Sequence, residues 1–173
     1  MYRMRSSSHT LRALFCAVLL LACSALAHAA AKVGEPAPPL ALLDSTGELV
    51  SIENLKGRVL YVDFWASWCG PCRQSFPWMN DLRKRFADQG LTIISVNVDK
   101  KRVDAERFLR DSPAAFTVLY DAAGATPNTW GARGMPTSFL IDRQGRVVAT
   151  EVGFSDDRKD AMEARIRELL AAR

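Results

Sequence analysis

Two cysteines, Cys69 and Cys72, bracket a Gly-Pro dipeptide in the run Phe64-Trp65-Ala66-Ser67-Trp68-Cys69-Gly70-Pro71-Cys72. Thiols at this spacing make a compact redox pair. The apolar run Val59-Leu60-Tyr61-Val62 before them reads as a buried strand, and a helical pattern follows. Cys69 therefore falls at a helix start, where unpaired backbone N–H groups and the helix dipole favour a thiolate. Cys72 falls one turn in, within reach of Cys69 for a small disulfide ring. Pro71 suits the first helical turn, where its missing N–H would have had no partner. A purely structural disulfide is the competing reading. So small a loop removes little unfolded-state entropy and makes a poor staple. Trp68 before the pair and Gly-Pro inside it favour redox work.

The elements that position this pair come from an ordered pattern. Residues 30–39, with Pro36, Pro38 and Pro39, read as an extended lead-in. Leu40–Leu43 and Glu48–Ser51 flank the turn residues Asp44-Ser45-Thr46-Gly47 and predict a hairpin. Ile52–Leu55 reads as a short helical turn and Arg58–Trp65 as a central strand buried on both faces. Gly70–Asp88 is helical, with Phe76, Met79, Leu82 and Phe86 on one face, and Pro77 is expected to interrupt it, removing one backbone hydrogen bond and kinking the helix just past the cysteines. Leu91–Val98 is a second strand. Val103–Arg110 is a helix with Val103, Phe108 and Leu109 inward. Phe116–Leu119 is a short strand and Thr126–Trp130 a helical turn, with Trp78 and Trp130 read as packing residues. Ser138–Asp142 and Arg146–Val152 form a hairpin across Arg143-Gln144-Gly145. A last helix begins at Asp156, with Met162, Ile166, Leu169 and Leu170 on one face. The order is a βαβ half followed by a ββα half, an α/β chain with a central mixed sheet between helices.

At 173 residues the chain fits one domain behind a leader. Arg3, Arg5 and Arg12 precede an apolar run from Ala13 to Ala27, and Ala27-His28-Ala29 fits a small-x-small cleavage site. Residues 1–29 read as a secretory signal peptide and 30–173 as the working domain. The run falls short of the roughly 20 residues a membrane span needs. Leu20-Leu21-Ala22-Cys23 offers a second processing site, a bacterial lipobox that would leave Cys23 lipidated at the new N-terminus. Cleavage after Ala29 removes three arginines and no acid, which takes the net charge from +4 to +1. No concentrated basic face points to nucleic acid. Both histidines, His9 and His28, fall in the leader. The working domain then has no Cys–His or Ser–His nucleophile pair and no histidine for a metal. Two cysteines cannot build a four-thiolate zinc site, so no metal is expected.

The run Val62-Asp63-Phe64-Trp65-Ala66-Ser67-Trp68-Cys69-Gly70-Pro71-Cys72, with Gly134-Met135-Pro136-Thr137, resembles thioredoxin. The leader, Gly34-Glu35-Pro36-Ala37-Pro38, the hairpin and Ser95-Val96-Asn97-Val98-Asp99 resemble the TlpA/ResA branch. These are exported, often membrane-tethered thiol-disulfide oxidoreductases of bacteria. The resemblance covers roughly residues 33–170 and implies a thioredoxin fold with an N-terminal β-hairpin extension. It implies that Cys69 is the attacking thiolate, Cys72 the resolving thiol, and Cys69–Cys72 the disulfide of the oxidised form. Pro136 would be a cis-proline beside the sulfurs, presenting the Met135 backbone to an extended substrate segment. Trp68 would line the docking surface, with Gly70, Pro71, Met135 and Thr137 as further substrate contacts. Asp63 stands where thioredoxin has a buried acid. A desolvated carboxyl there has a raised pKa and can take the Cys72 proton.

The sequence also departs from the family pattern. Ser95 replaces the lysine near thioredoxin's buried acid, and Ser75 replaces a glutamate common in TlpA/ResA relatives. Thr137 stands where cytochrome c maturation factors often carry glutamate. Asp63 is then the one acid that motif places near the sulfurs.

The expected activity is reduction of protein disulfides in the bacterial periplasm. It needs no cofactor, and the resemblance implies electrons from a membrane thiol partner, with a lipid anchor as an option. Gly70-Pro71 is the thioredoxin dipeptide, associated with a potential of about −270 mV. Strong oxidants of the superfamily usually carry histidine there. One alternative is a thiol reductase dedicated to cytochrome c or copper-centre assembly. Another is a non-catalytic adaptor using the docking groove. A peroxiredoxin-type peroxidase would need Thr-x-x-Cys, which Ala66-Ser67-Trp68-Cys69 lacks.

Overall fold

Val59–Trp65 is buried at every position, as a strand covered on both faces must be. In the computed structural model, which describes residues 30–172, this strand is the centre of a five-stranded sheet. The signal peptide and lipobox predicted within 1–29 lie outside the described residues. In chain order the elements are β1 (Ala41–Leu43), β2 (Leu49–Ser51), β3 (Val59–Trp65), α1 (Gly70–Phe86), β4 (Leu91–Asn97) and α2 (Arg102–Asp111). There follow β5 (Thr117–Tyr120), α3 (Ala125–Trp130), β6 (Thr137–Ile141), β7 (Val147–Val152) and α4 (Asp156–Ala171). The predicted hairpin is the separate β1–β2 sheet, and the predicted turn at Ile52–Leu55 is a 3-10 helix capped by the Ser51 side chain.

The large sheet runs β5-β4-β3-β6-β7. β3, β4 and β5 are parallel, so they need the crossover helices α1 and α2. β6 and β7 join antiparallel on the other side, which makes the sheet mixed. This is the predicted α/β arrangement.

Side chains along a strand alternate between faces, and β3 divides the core accordingly. Val59, Tyr61 and Trp65 pack with Phe76 and Met79 of α1, Phe108 of α2 and Ile166 of α4. Leu60, Val62 and Phe64 pack on the opposite side with Leu40, Ile52 and Trp130. Asp63 shares the first face, beneath α1. Trp130 packs against Phe64 and Phe139, and Trp78 meets Tyr61 edge-on.

Two local expectations change. α1 runs unbroken through the exposed Pro77. Val103, expected inward, is 51% exposed, while Ala105 and Phe108 are buried. Five helical residues separate Val103 from Phe108, about 140° of rotation, so the two cannot share a face.

Candidate active site

β3 ends at Trp65, and the chain turns at once into α1. The Cys69 N–H donates to the Ala66 carbonyl at 3.1 Å, which closes the turn. Asp99, just past β4, holds the turn from the neighbouring strand. Its Oδ2 accepts from the Ser67 N–H at 2.9 Å and from Asn97 Nδ2 at 2.8 Å; its Oδ1 accepts from the Ser67 hydroxyl at 3.0 Å. Sequence reasoning missed this clamp. Its signal was a polar Asn97–Asp99 pair at the carboxyl end of a parallel strand, where open α/β sheets gather their sites.

Cys69 is the N-cap of α1, with extended backbone at φ −84° and ψ 107°. The Cys72 N–H donates to Cys69 Sγ at 3.2 Å, one of the orphan donors of the first turn meeting the sulfur. Gly70 and Pro71 open the helix and are exposed. Cys69 and Cys72 are joined as a disulfide, their Cα atoms 5.4 Å apart. Cys69 is 4% exposed and Cys72 0%, while Trp68 beside them is 71% exposed. Any approach from solvent therefore meets Trp68 and the Cys69 side of the ring.

Antiparallel pairing brings the second motif alongside. Thr137, first residue of β6, pairs with Phe64 near the end of β3. Pro136 thus lies level with the strand end that leads to Cys69. The Met135–Pro136 bond is cis. The Gly153 N–H donates to the Pro136 carbonyl at 2.7 Å, and the Thr137 hydroxyl to the Gly134 carbonyl at 2.6 Å. Thr137 and Pro136 are buried and Met135 is half-buried. Val152, the ladder partner of Thr137, is exposed and adds apolar surface beside the turn.

Asp63 is 1% exposed, and its Oδ2 has no hydrogen-bond partner. Desolvation pushes its pKa well above the ordinary carboxylate range. Tyr61, on the same face, is also raised, first by desolvation and then by the Asp63 charge. The hydroxyls at the two serine departure positions, like that of Thr137, serve backbone carbonyls: Ser75 donates to Cys72 O at 3.1 Å and Ser95 to Thr117 O at 3.4 Å. Among the described residues no group of three His, Cys, Asp or Glu side chains could hold a metal ion, and no helix is long and apolar enough to cross a membrane.

The Redoxin family pattern matches residues 32–168. The chain is 30% identical over 138 residues to the thiol-disulfide oxidoreductase ResA of Bacillus thuringiensis (strain Al Hakam), covering 80% of this chain and 79% of that one. Among solved structures, a Chlorobium tepidum protein carrying the name thiol:disulfide interchange protein DsbE is 48% identical, with a TM-score of 0.79 over 82% of this chain and 100% of that one. The exposed lipoprotein thioredoxin Etrx1 of Streptococcus pneumoniae strain TIGR4 is 28% identical, with a TM-score of 0.67 over 76% of this chain and 100% of that one. The chain belongs to the redoxin family, and its fold and cysteine pair are those of a TlpA/ResA-like thiol-disulfide oxidoreductase.

Proposed function

We propose that this chain is an exported protein-disulfide reductase working in the bacterial periplasm through Cys69 and Cys72. The observation that carries the reading is the asymmetry of the ring: Cys69 caps α1 beside an exposed Trp68, and Cys72 is wholly buried. Cys69 as thiolate attacks a substrate disulfide, and one substrate sulfur leaves as thiolate. Cys72 then attacks Cys69 Sγ, which releases the second substrate sulfur and closes the ring. The Cys72 proton goes to the Asp63 carboxylate, whose raised pKa brings it nearer to that of a thiol.

The substrate is a disulfide-containing protein segment lying between Trp68 and the cis turn. It touches Gly70, Pro71 and the backbone of Met135, with Thr137 and Pro136 holding the turn in place. Electrons return from a thiol partner in the membrane. The Leu20-Leu21-Ala22-Cys23 run supports a lipid anchor as the second processing outcome, and one structural relative is itself named a lipoprotein. Dedication to cytochrome c or copper-centre assembly has less support, because Ser75 and Thr137 place no further acid near the sulfurs.

The test is substrate trapping. Cys72→Ala should accumulate stable mixed disulfides with periplasmic proteins, visible on non-reducing gels, and Cys69→Ala should give none. Trapping by Cys69→Ala and not by Cys72→Ala would reverse the two roles. No trapping by either would favour the adaptor.

A further inference from the structure

Cys72 and Asp63 are sealed from solvent at 0% and 1% exposure, so a proton passed between them still has to reach water. The sheet register offers a polar route on one side. Asp63 is flanked by Ser95 on β4 and Ser138 on β6. On the β4 side the row continues to Val118, which is apolar and buried, and the Ser95 hydroxyl is turned to the Thr117 carbonyl. On the β6 side Ser138 pairs with Glu151 of β7, a half-exposed carboxylate on the edge strand.

Directly opposed residues of antiparallel strands share a face, with Cβ atoms about 4.5–5.5 Å apart. Asp63, Ser138 and Glu151 therefore form a continuous row under α1 and α4. Tyr61, two residues before Asp63 on the same face, lines one cleft with Ser138 and Glu151, and burial together with the charges of Asp63 and Glu151 raises its pKa. A narrow cleft beside the row is lined by Tyr61, Ser138, Glu151 and, from α4, Arg158 and Lys159. Arg158 donates to the Val152 carbonyl and Lys159 pairs with Asp156. Cys72 of α1 packs in the core on this same side of the sheet, and the Arg85–Glu163 pair joins α1 and α4 above it.

We propose that Ser138 and Glu151 are the proton outlet of Asp63, positioning residues that set how fast the resolving step turns over. The proposal rests on the reading of Asp63 as acceptor for the Cys72 proton. As the Cys72 sulfur attacks Cys69 Sγ, its proton passes to the Asp63 carboxylate. The Cys69–substrate S–S bond breaks, and the substrate leaves as thiolate with the electron pair. Asp63 can accept the Cys72 proton only when ionised, so the proton it holds beforehand must first pass by way of the Ser138 hydroxyl to the Glu151 carboxylate and on to water, and the Cys72 proton leaves afterwards by the same route. The substrate thiolate takes its own proton from water, so two electrons move to the substrate and the cysteines end as a disulfide.

The experiment mixes the reduced protein with excess oxidised glutathione across about pH 5 to 9, spanning the ordinary cysteine range. Stopped-flow decay of the mixed disulfide is followed in H₂O and D₂O. Glu151→Gln and Ser138→Ala should each slow ring closure about tenfold, less than the 10²–10⁴-fold of losing a general base outright. Each should enlarge the solvent isotope effect. Glu151→Asp should recover most of the rate, and the double variant should be no slower than either single, since both interrupt one path. Ser95→Ala, on the closed side, should match the wild type. If Asp63→Asn slows closure while Glu151→Gln and Ser138→Ala match the wild type, the outlet is refuted and the Asp63 reading stands. If Asp63→Asn itself keeps the wild-type rate and pH profile, the Asp63 reading fails and takes the outlet with it.

Discussion

Burial drives the Asp63 pKa up because the ionised form loses water and Oδ2 gains no partner in return. The folded chain then holds this proton more tightly than the unfolded chain does. Its contribution to stability is full below the unfolded value near 3.8 and is lost as pH rises toward the folded value. Asp63→Asn removes the ionised group. The variant should be more stable than wild type at neutral pH by about 1–3 kcal/mol, the penalty for an unsatisfied buried polar group. The gain should vanish below pH 3.8. Thermal unfolding at several pH values checks this, and a difference independent of pH would contradict it. Asp63, Cys69, Cys72 and Pro136 could be singled out in the sequence because they lie in two short motifs. Ser138 and Glu151 could not, since they meet Asp63 only through cross-strand register, which no local pattern encodes.

α1 carries the cysteines, and α4 braces it against the sheet. Arg85 of α1 forms a two-pronged pair with Glu163 of α4, at 2.6 Å and 2.7 Å. The Arg85 hydrogen bonds are the main cause that holds the Glu163 pKa down to about 2, from an ordinary 4.5. A depressed acid stabilises the fold above its unfolded value and loses that effect as pH falls through the folded one. Glu163→Gln should therefore lower stability by about 1 kcal/mol at neutral pH, a modest figure because the pair is partly in water. The difference should close between pH 4.5 and about 2, read by urea unfolding. A constant difference would mean that packing, not charge, joins the helices. The apolar periods of α1 and α4 were legible in sequence, and Phe76, Met79, Met162 and Ile166 are buried as expected. The α2 pattern was less so, because Val103 and Phe108 are both apolar yet stand on different faces.

At the scale of the molecule, alternating strands and helices fixed the parallel half, and the closing hairpin fixed the antiparallel half. The lead-in is less legible, because its partners are remote. Gly34 donates to the Val147 carbonyl, Val147 to Glu35, and Ala37 to Gly145, so this segment runs beside the start of β7. Ala31 donates to the Trp130 carbonyl and joins the second core. The redox centre thus sits at the end of a strand buried between two cores, and its electrochemistry reflects the whole arrangement. The reductase reading depends most directly on the reduction potential of the Cys69–Cys72 pair at pH 7. Equilibration against graded dithiothreitol and glutathione buffers would measure it. A value below about −230 mV is predicted, in the range of thioredoxin-like reductases. A value near −120 mV, roughly that of a strong periplasmic oxidant, would contradict the account and reverse the direction of electron flow.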